Sequence, residues 1–203
     1  DGEGNVIVAD TSNHSIRKIA PDGTVTTLAG SRDRECGFAD GESADARFND
    51  PEGVAIDGEG NVIVADTSNH SIRKVAPDGT VTTLAGSRDG ECGFADGESA
   101  DARFNDPCGV TIDGEGNVIV ADAHNHCIRK VAPDGTVTTL AGSRDGEKGF
   151  ADGESADARF NDPGDVAIDG EGNVIVADAS NHSIRKVAPD GTVTTLAGSR
   201  DGE

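Results

Sequence analysis

The chain has 203 residues, of which 34% are hydrophobic and 3% aromatic, and its formal net charge is −21. So few aromatic and basic side chains argue against a surface that binds nucleic acid, and the negative field disfavours an anionic membrane surface. No apolar run approaches the length of a membrane span. We therefore expect no nucleic-acid or membrane partner and interpret the acidity as a source of solubility.

A repeat of 56 residues organises the chain. Copies begin at Asp1, Asp57, Asp113 and Asp169, and the last copy is incomplete, with 35 residues. The first two copies differ at only four positions. A period of this size is typical of solenoids, propellers and arrays, in which one copy forms one structural unit.

Within one copy, four strand signals follow one another. They are GVAID at 53–57, NVIVAD at 61–66, SIRKVA at 71–76 and TVTTLAG at 80–86, connected by the turn GEG, the segment DTSNH and the turn PDG. Consecutive β-branched residues in the second strand favour burial on both faces. Short turns predict an antiparallel meander, and a meander that is apolar on both faces must stack on another, as a propeller blade does.

The remaining segment, 87–108, is rich in Gly, Asp and Ser. It is predicted to cross from the outer strand of one blade to the inner strand of the next blade. Phe94 and Phe104 are expected to pin this loop to the blade, and ADARF at 100–104 is expected to form one helical turn.

These motifs resemble the NHL-repeat β-propellers. The residues that carry the resemblance are GVAID and GNVIVADTSNHSIRK, with GFADG and ARFNDP before them, and it extends over every copy. The resemblance implies that GVAI is the innermost strand and TVTTLAG the outermost. Family members are commonly six-bladed and mostly bind other macromolecules, while a few related propellers are enzymes.

We therefore expect an all-β fold, a single propeller or half-propeller of four-stranded antiparallel blades, the first lacking its inner strand. Residues 1–203 form the domain, with blades at about 1–30, 53–86, 109–142 and 165–198. Open ends favour a homo-oligomer, most simply two chains that close an eight-bladed ring. A closed four-bladed monomer and a part of a longer repetitive chain are the alternatives. The near-identity of the copies points to recent duplication or to engineered symmetry.

Two repeated motifs are interpreted as structural. DGEG lacks the pattern of a calcium loop and suits a tight hairpin turn. The histidine that recurs in every copy is expected to be a hydrogen-bonding residue, since four separate catalysts are implausible. These histidines are His14, His70, His126 and His182.

The third blade contains two thiols and two imidazoles, Cys108, His124, His126 and Cys127, which are acceptable zinc ligands. Their spacing is nonstandard, and closing all four around one ion would need adjustment of the loops. Sequence drift is the favoured interpretation, and no metal site is assigned.

No residues in the sequence require a reaction, so we assign no catalytic residue, no cofactor and no compartment. A symmetric scaffold that assembles through its blades is the favoured function. The first alternative is a protein- or peptide-binding propeller that uses the acidic loop face, and a metal protein or enzyme is less favoured. The residues of the acidic loop face include Asp89, Glu91, Asp96, Glu98, Asp101 and Asp106.

Overall fold

A computed structural model describes residues 1–198, which form four antiparallel blades joined by loops. The first blade contains β1 (Val6–Asp10), β2 (Ser15–Ile19) and β3 (Val25–Gly30). The second contains β4 (Pro51–Ile56), β5 (Val62–Asp66), β6 (Ser71–Val75) and β7 (Val81–Gly86). The third contains β8 (Pro107–Ile112), β9 (Val118–Asp122), β10 (Cys127–Val131) and β11 (Val137–Gly142). The fourth contains β12 (Pro163–Ile168), β13 (Val174–Asp178), β14 (Ser183–Val187) and β15 (Val193–Ala197).

The strand order confirms the predicted meander. Three blades are four-stranded sheets in chain order, and the first is a three-stranded sheet without an inner strand. The inner strand of the second blade begins at Pro51, two residues before the predicted start. A single-turn 3₁₀ helix joins the second and third strands of each blade, at Thr11–Asn13, Thr67–Asn69, Ala123–Asn125 and Ala179–Asn181. Within residues 1–198, none of the helices has the length and apolar character needed to cross a bilayer.

Burial between neighbouring blades explains the composition of the second strand. All five residues of β5 are buried, as its consecutive β-branched side chains predicted. Ile7 and Leu28 of the first blade pack in one cluster with Val62 and Val81 of the second blade. Side chains that alternate along a strand point to opposite faces, so each blade offers one apolar face to the blade before it and one to the blade after it.

The hairpin turns are built as the DGEG motif predicted. The Asp57 carboxylate accepts hydrogen bonds from the backbone N–H groups of Glu59 at 2.9 Å and Asn61 at 2.8 Å. The Asn61 side chain donates to the same carboxylate at 2.8 Å. Partial burial opposes the effect, but these hydrogen bonds and the nearby Lys74 lower the pKa of Asp57 below its ordinary value. The motif therefore acts as a turn.

The inner strands lie so close together that glycine is required where they meet. A Cβ on Gly109 would lie 2.6 Å from Cα of Asp165 and 3.0 Å from the carbonyl oxygen of Gly164. Both contacts involve backbone, which cannot move out of the way as a flexible side chain can. The lack of a side chain at Gly109 in β8 therefore allows β12 to pack at this short distance.

Three crossing segments, defined here as residues 31–50, 87–106 and 143–162, connect the blades. The predicted helical turn at 100–104 is wrong, because Ala95 and Arg103 form a β-bridge instead. A second bridge joins Gly97 to Val137, in the outer strand of the following blade. Each crossing segment therefore folds as an extra edge of the blade that follows it.

The blades form an open array within residues 1–198. Val6 of the first blade is 58% exposed, and Leu196 of the last blade is 54% exposed. Closure of the four blades on themselves would cover both faces. The closed four-bladed monomer is therefore not the arrangement adopted by the described residues.

Candidate functional site

A fully buried arginine holds each crossing segment on its blade. In the third blade, Arg129 lies between two aromatic rings, 4.8 Å from the centre of Phe94 and 5.2 Å from that of Phe104. Its guanidinium donates to Asp96 of the crossing segment and to Asp122 of β9, both at 2.7 Å. We call this set the arginine site. The arginines of the second and fourth blades, Arg73 and Arg185, have the same environment.

The crossing segment supplies most of the arginine site, which confirms that the two phenylalanines have a packing role. Phe94 and Asp96 lie on the crossing segment, and the carbonyl oxygens of Ala95 and Arg103 accept further hydrogen bonds from the guanidinium, at 2.8 and 3.1 Å. Planar donors that satisfy several acceptors at once are a property of arginine that lysine lacks. The site therefore selects arginine specifically.

The buried carboxylate beside the arginine is fully hydrogen-bonded. Asp122 accepts from the backbone N–H of Asn105 at 2.8 Å, from the Asn125 side chain at 2.8 Å and from Arg129. Burial raises the pKa of Asp122 to about 6, and the charge of Arg129 opposes that rise. All three partners are donors, which suits the ionised carboxylate present above that pH. Removing one partner of such a pair leaves an uncompensated buried charge.

The first blade has the arginine without the crossing segment. Arg17 bonds Asp10 at 3.1 Å, and its side chain is 30% exposed, whereas Arg73 is fully buried. Within residues 1–198 this bond to Asp10 is the only hydrogen bond of the Arg17 side chain. The first arginine site is therefore half-formed.

The histidine of each of the first three blades joins that blade to the next crossing segment, which confirms the predicted structural hydrogen-bonding role for His14, His70 and His126. His182 makes no such bond within residues 1–198. Nδ1 of His126 accepts from the backbone N–H of Asp162 at 3.2 Å. This contact requires a neutral ring with its proton on Nε2. Burial, the largest effect, lowers the pKa of His126 and so favours that neutral form. Equivalent bonds join His14 to Asp50 and His70 to Asp106.

The four potential zinc ligands of the third blade occupy different environments. Cys127 is fully buried, and His126 is engaged with Asp162. His124 is exposed and pairs with Asp106, whose carbonyl oxygen accepts from the Cys108 thiol at 3.3 Å. Among residues 1–198, no group of three or more His, Cys, Asp and Glu side chains is placed to hold a metal ion.

Both thiols are held in their protonated form. Burial, with the nearby Glu52 carboxylate, raises the pKa of Cys108 to about 12. Burial also raises the pKa of Cys127 well above its ordinary value. The thiolate is the form of cysteine that binds metals and acts as a nucleophile, so neither residue is prepared for that chemistry.

A cavity of about 370 Å³ opens where the inner strands meet. Its lining includes Glu52, Cys108 and Asp165. The acidic loop face proves less uniform than the sequence suggested, because the Asp96 carboxylate is committed to Arg129 and the Asp106 carboxylate to His124, while Glu98 is exposed to solvent. The groups of the chain that are not engaged in holding the blades together therefore lie around the axial cavity and at the two ends of the array.

Comparison with known proteins identifies the repeat. The family model described as "NHL repeat" matches residues 48–75, 104–131 and 160–187, each of which runs from the end of a crossing segment to the third strand of a blade. The chain contains three NHL repeats. The NHL-repeat chain is 39% identical over 153 residues to NHL repeat-containing protein 2 of Bos taurus, and 36% identical over 152 residues to that of Homo sapiens. These matches cover 69% of the NHL-repeat chain and 21% of the curated relatives, so the chain spans about one fifth of their length.

Solved structures with low sequence identity share the fold of the NHL-repeat chain. An auxiliary nutrient binding protein from Bacteroides thetaiotaomicron superposes with a TM-score of 0.73 at 21% identity, covering 96% of this chain and 46% of that one. A streptogramin B lyase superposes with a TM-score of 0.65 at 11% identity, covering 96% and 51%. At these identities the likeness concerns the propeller fold alone.

Proposed function

We propose that the chain is a structural scaffold without catalytic activity, which assembles by packing the last blade of one copy on the first blade of another. In its simplest form, two copies close one ring of eight blades. The observation that carries this proposal is the exposure, at both ends of the array, of apolar side chains whose equivalents inside it are buried or half-buried.

The first blade presents a face suited to receive a preceding blade. Val6 is 58% exposed and Val25 is 50% exposed. The equivalent Val62 and Val81 in the second blade are 3% and 1% exposed, because the first blade covers them. Apolar area buried from water contributes roughly 25 cal/mol per Å², so covering this face is favourable.

The last blade presents the complementary face. Ile184 is 39% exposed and Leu196 is 54% exposed, whereas Ile128, equivalent to Ile184, is fully buried against the fourth blade. The two end faces differ from each other, so the junction is heterologous and grows into a ring or an open filament.

The first test is the solution mass by light scattering over a concentration series. Assembly of two half-rings gives twice the 20.6 kDa chain mass, with dissociation on dilution. Val25→Glu and Ile184→Glu each place an unpaired carboxylate in the proposed junction and should weaken association about a hundredfold. Thr26→Glu is the matched control, because the equivalent Thr82 is exposed even between two blades.

Mixing the two variants sharpens this test. The Val25→Glu chain keeps an intact last face and the Ile184→Glu chain keeps an intact first face, so one intact junction forms in the mixture. The mixture should associate more strongly than either variant alone. A wild-type chain that stays at 20.6 kDa at all concentrations would falsify the scaffold assembly.

A second function, a protein- or peptide-binding module, has one observation in its favour. The copies differ at nine positions of the repeat, and five of these lie in the inner strand or in the turn between the second and third strands. In the first copy, the nine positions are Thr11, Ser12, Ser15, Ile19, Arg34, Cys36, Glu52, Gly53 and Ala55. The turn contacts the next inner strand, since Thr67 donates to the carbonyl oxygen of Pro107 at 2.9 Å.

Two of these positions line the axial cavity, where the three inner strands place different residues, Glu52, Cys108 and Gly164 at the first and Gly53, Gly109 and Asp165 at the second. Such differences around one cavity are what recognition of an asymmetric partner needs. A peptide library selected on the wild-type chain tests it, with counter-selection on a chain in which Cys108→Glu and Thr111→Ala restore the residues of the first copy. Peptides that bind both chains equally would contradict an axial recognition site.

A further inference from the structure

Each junction between two blades leaves a groove on the side of the array that carries the DGEG turns. The groove between the second and third blades has a volume of about 180 Å³. Those between the third and fourth blades and between the first and second have volumes of about 250 and 310 Å³. Residues of both neighbouring blades line each of these three inter-blade grooves, so each groove is complete within one copy of the chain.

Apolar side chains form one part of the lining. At the junction of the second and third blades they are Ile63, Leu84, Ile112, Val118 and Pro133. Leu84 and Ile112 remain only partly buried there, although both blades are present. Leu140 and Ile168 remain partly buried in the same way at the next junction. An alkyl group that covers them would remove further apolar surface from water.

Charged side chains form the rim, and negative charge prevails there. Nζ of Lys74 lies 3.7 Å from a carboxylate oxygen of Asp57 and 3.7 Å from one of Glu59. Each rim therefore combines two carboxylates with one ammonium group. The same three residue types line the other two grooves, as Asp1, Glu3 and Lys18 and as Asp113, Glu115 and Lys130. In a chain with a net charge of −21, such a rim attracts cations and repels anions.

Glu59 is the carboxylate with acceptor capacity to spare. Both carboxylate oxygens of Asp57 accept hydrogen bonds inside the turn, from Glu59 and Asn61. The Glu59 side chain is 81% exposed, and its contact with the Asn61 side chain, at 3.3 Å, is a long hydrogen bond. A carboxylate offers about four acceptor positions, so Glu59 can take further N–H donors.

The volumes limit the size of an occupant. A water molecule takes up about 30 Å³ in the liquid, so the three grooves hold roughly six to ten groups of that size. Drug-sized ligands occupy sites of about 300–1,000 Å³, a range that begins where these grooves end. A linear chain of about six carbons with one polar end group fits within these limits.

We propose that each inter-blade groove binds a small alkylammonium ion. The alkyl chain lies along the apolar lining, and the ammonium group donates hydrogen bonds to the exposed glutamate of the rim. These glutamates are Glu3, Glu59 and Glu115. The inference goes beyond the scaffold function and does not rest on it, because the groove needs no contact between copies of the chain.

The leucines of the chain report on the grooves one by one. The chain has four leucines, and Leu28, Leu84 and Leu140 each line one groove, whereas Leu196 belongs to none of the three. The probe is n-hexylammonium, titrated into the 203-residue chain carrying ¹³C-labelled leucine methyl groups and followed by NMR. Leu→Ile variants assign the four sets of signals. We expect the methyl signals of the three groove leucines to shift and to saturate together.

Two further ligands separate the contributions of charge and chain. Hexanoate has a chain of similar length with the opposite charge, and it should bind at least about tenfold more weakly. Butylammonium keeps the charge and loses two methylene groups, and it should bind about tenfold more weakly because less apolar surface is buried. Equal shifts with hexanoate, or unmoved signals of all three groove leucines, would overturn the proposal.

Matched triple variants locate the ammonium group. The combined changes Glu3→Gln, Glu59→Gln and Glu115→Gln should weaken hexylammonium binding by about fivefold. The control combines Glu42→Gln, Glu98→Gln and Glu154→Gln, which change the net charge by the same amount at exposed positions of the crossing segments. The control should bind as the unmodified chain does. Equal losses in the two triple variants would show only long-range attraction and would contradict a site at the rim.

The solution mass of the same samples keeps this inference separate from the assembly. A chain that stays at 20.6 kDa and still binds hexylammonium would support the grooves and contradict the ring. An assembled ring whose groove leucines do not respond would contradict the grooves and leave the scaffold function standing.

Discussion

The backbone N–H of Asp50 donates to Nδ1 of His14 at 3.1 Å and thereby ties the end of the first crossing segment to the first blade, which that segment leaves. The same segment is held to the following blade by Arg73. Every crossing segment is therefore fastened at two blades, by a histidine behind it and an arginine ahead of it. The stability of one junction depends on both contacts.

The histidine contact makes stability depend on pH. Because the pKa of His126 is lowered by burial, the unfolded chain binds a proton at a higher pH than the folded chain. Unfolding then takes up protons, so the contribution of His126 is complete above its unfolded pKa of about 6.5 and is lost as the pH falls below it. The loss extends down to the folded pKa.

His126→Asn should lower the free energy of unfolding by about 1 kcal/mol at pH 7.5 and by less at pH 5. Urea unfolding at the two pH values measures it. Asn is chosen because it tolerates the left-handed backbone at this position, where φ is 53°. His182→Asn is the control, since His182 is exposed and makes no such bond within residues 1–198. A difference of equal size at both pH values would contradict the linkage.

The third and first blades contain the same arginine–aspartate pair at different degrees of burial, so the effect of burial on the pair can be compared. Arg129→Met leaves Asp122 buried without its countercharge and should cost about 3–5 kcal/mol. Arg17→Met removes a partly exposed pair and should cost less than about 1 kcal/mol. Urea titration followed by circular dichroism measures both, and similar losses would show that the crossing segment does not create the difference.

The close approach of the inner strands predicts an effect of one methyl group. Gly109→Ala would drive Cβ into the backbone of Gly164 and Asp165 and should cost about 1–3 kcal/mol. In Gly164→Ala the nearest atom would be Cβ of Ala179 at 3.8 Å, an ordinary contact, so stability should change by less than about 0.5 kcal/mol. Thermal melting of the two variants tests this, and equal melting temperatures would argue against a tight axis.

The thiols should fall into two reactivity classes. Cys36 and Cys92 are exposed, whereas Cys127 is buried and the pKa of Cys108 is about 12. Iodoacetamide at pH 8 should therefore label two cysteines in the folded chain and four after denaturation, as counted by mass spectrometry. Rapid labelling of Cys108 in the folded chain would refute its assignment as an inert thiol and reopen a metal site at that position.

The blade could be predicted from sequence because its signals are local. Consecutive β-branched residues at Val62, Ile63 and Val64, with Gly-rich turns on either side, suffice for a meander of buried strands. The role of Arg73 was missed, although an arginine in the middle of a strand with buried neighbours is a signal. Its partner Asp40 lies 33 residues earlier, and no local pattern joins the two.

The incorrect helical turn has the same origin. Ala and Arg favour helices, so 100–104 looks helical on its own. The bridges from Ala95 to Arg103 and from Gly97 to Val137 outweigh that preference, and Val137 belongs to another blade. Tertiary pairing decides the conformation of the crossing segment, whereas local propensity suffices for the strands.

Gain or loss of whole repeats should leave the local architecture intact. Among the described residues, the side-chain hydrogen bonds with the greatest sequence separation, such as that from Thr83 to Asp40, join residues 43 positions apart. This separation is less than the 56-residue period. Unequal recombination between two copies in register therefore restores every partner at its proper distance, wherever the crossover falls. Such a gene can gain or lose whole repeats while each interior blade keeps its hydrogen bonds. A change in the number of blades then affects only how the two ends of the array are placed.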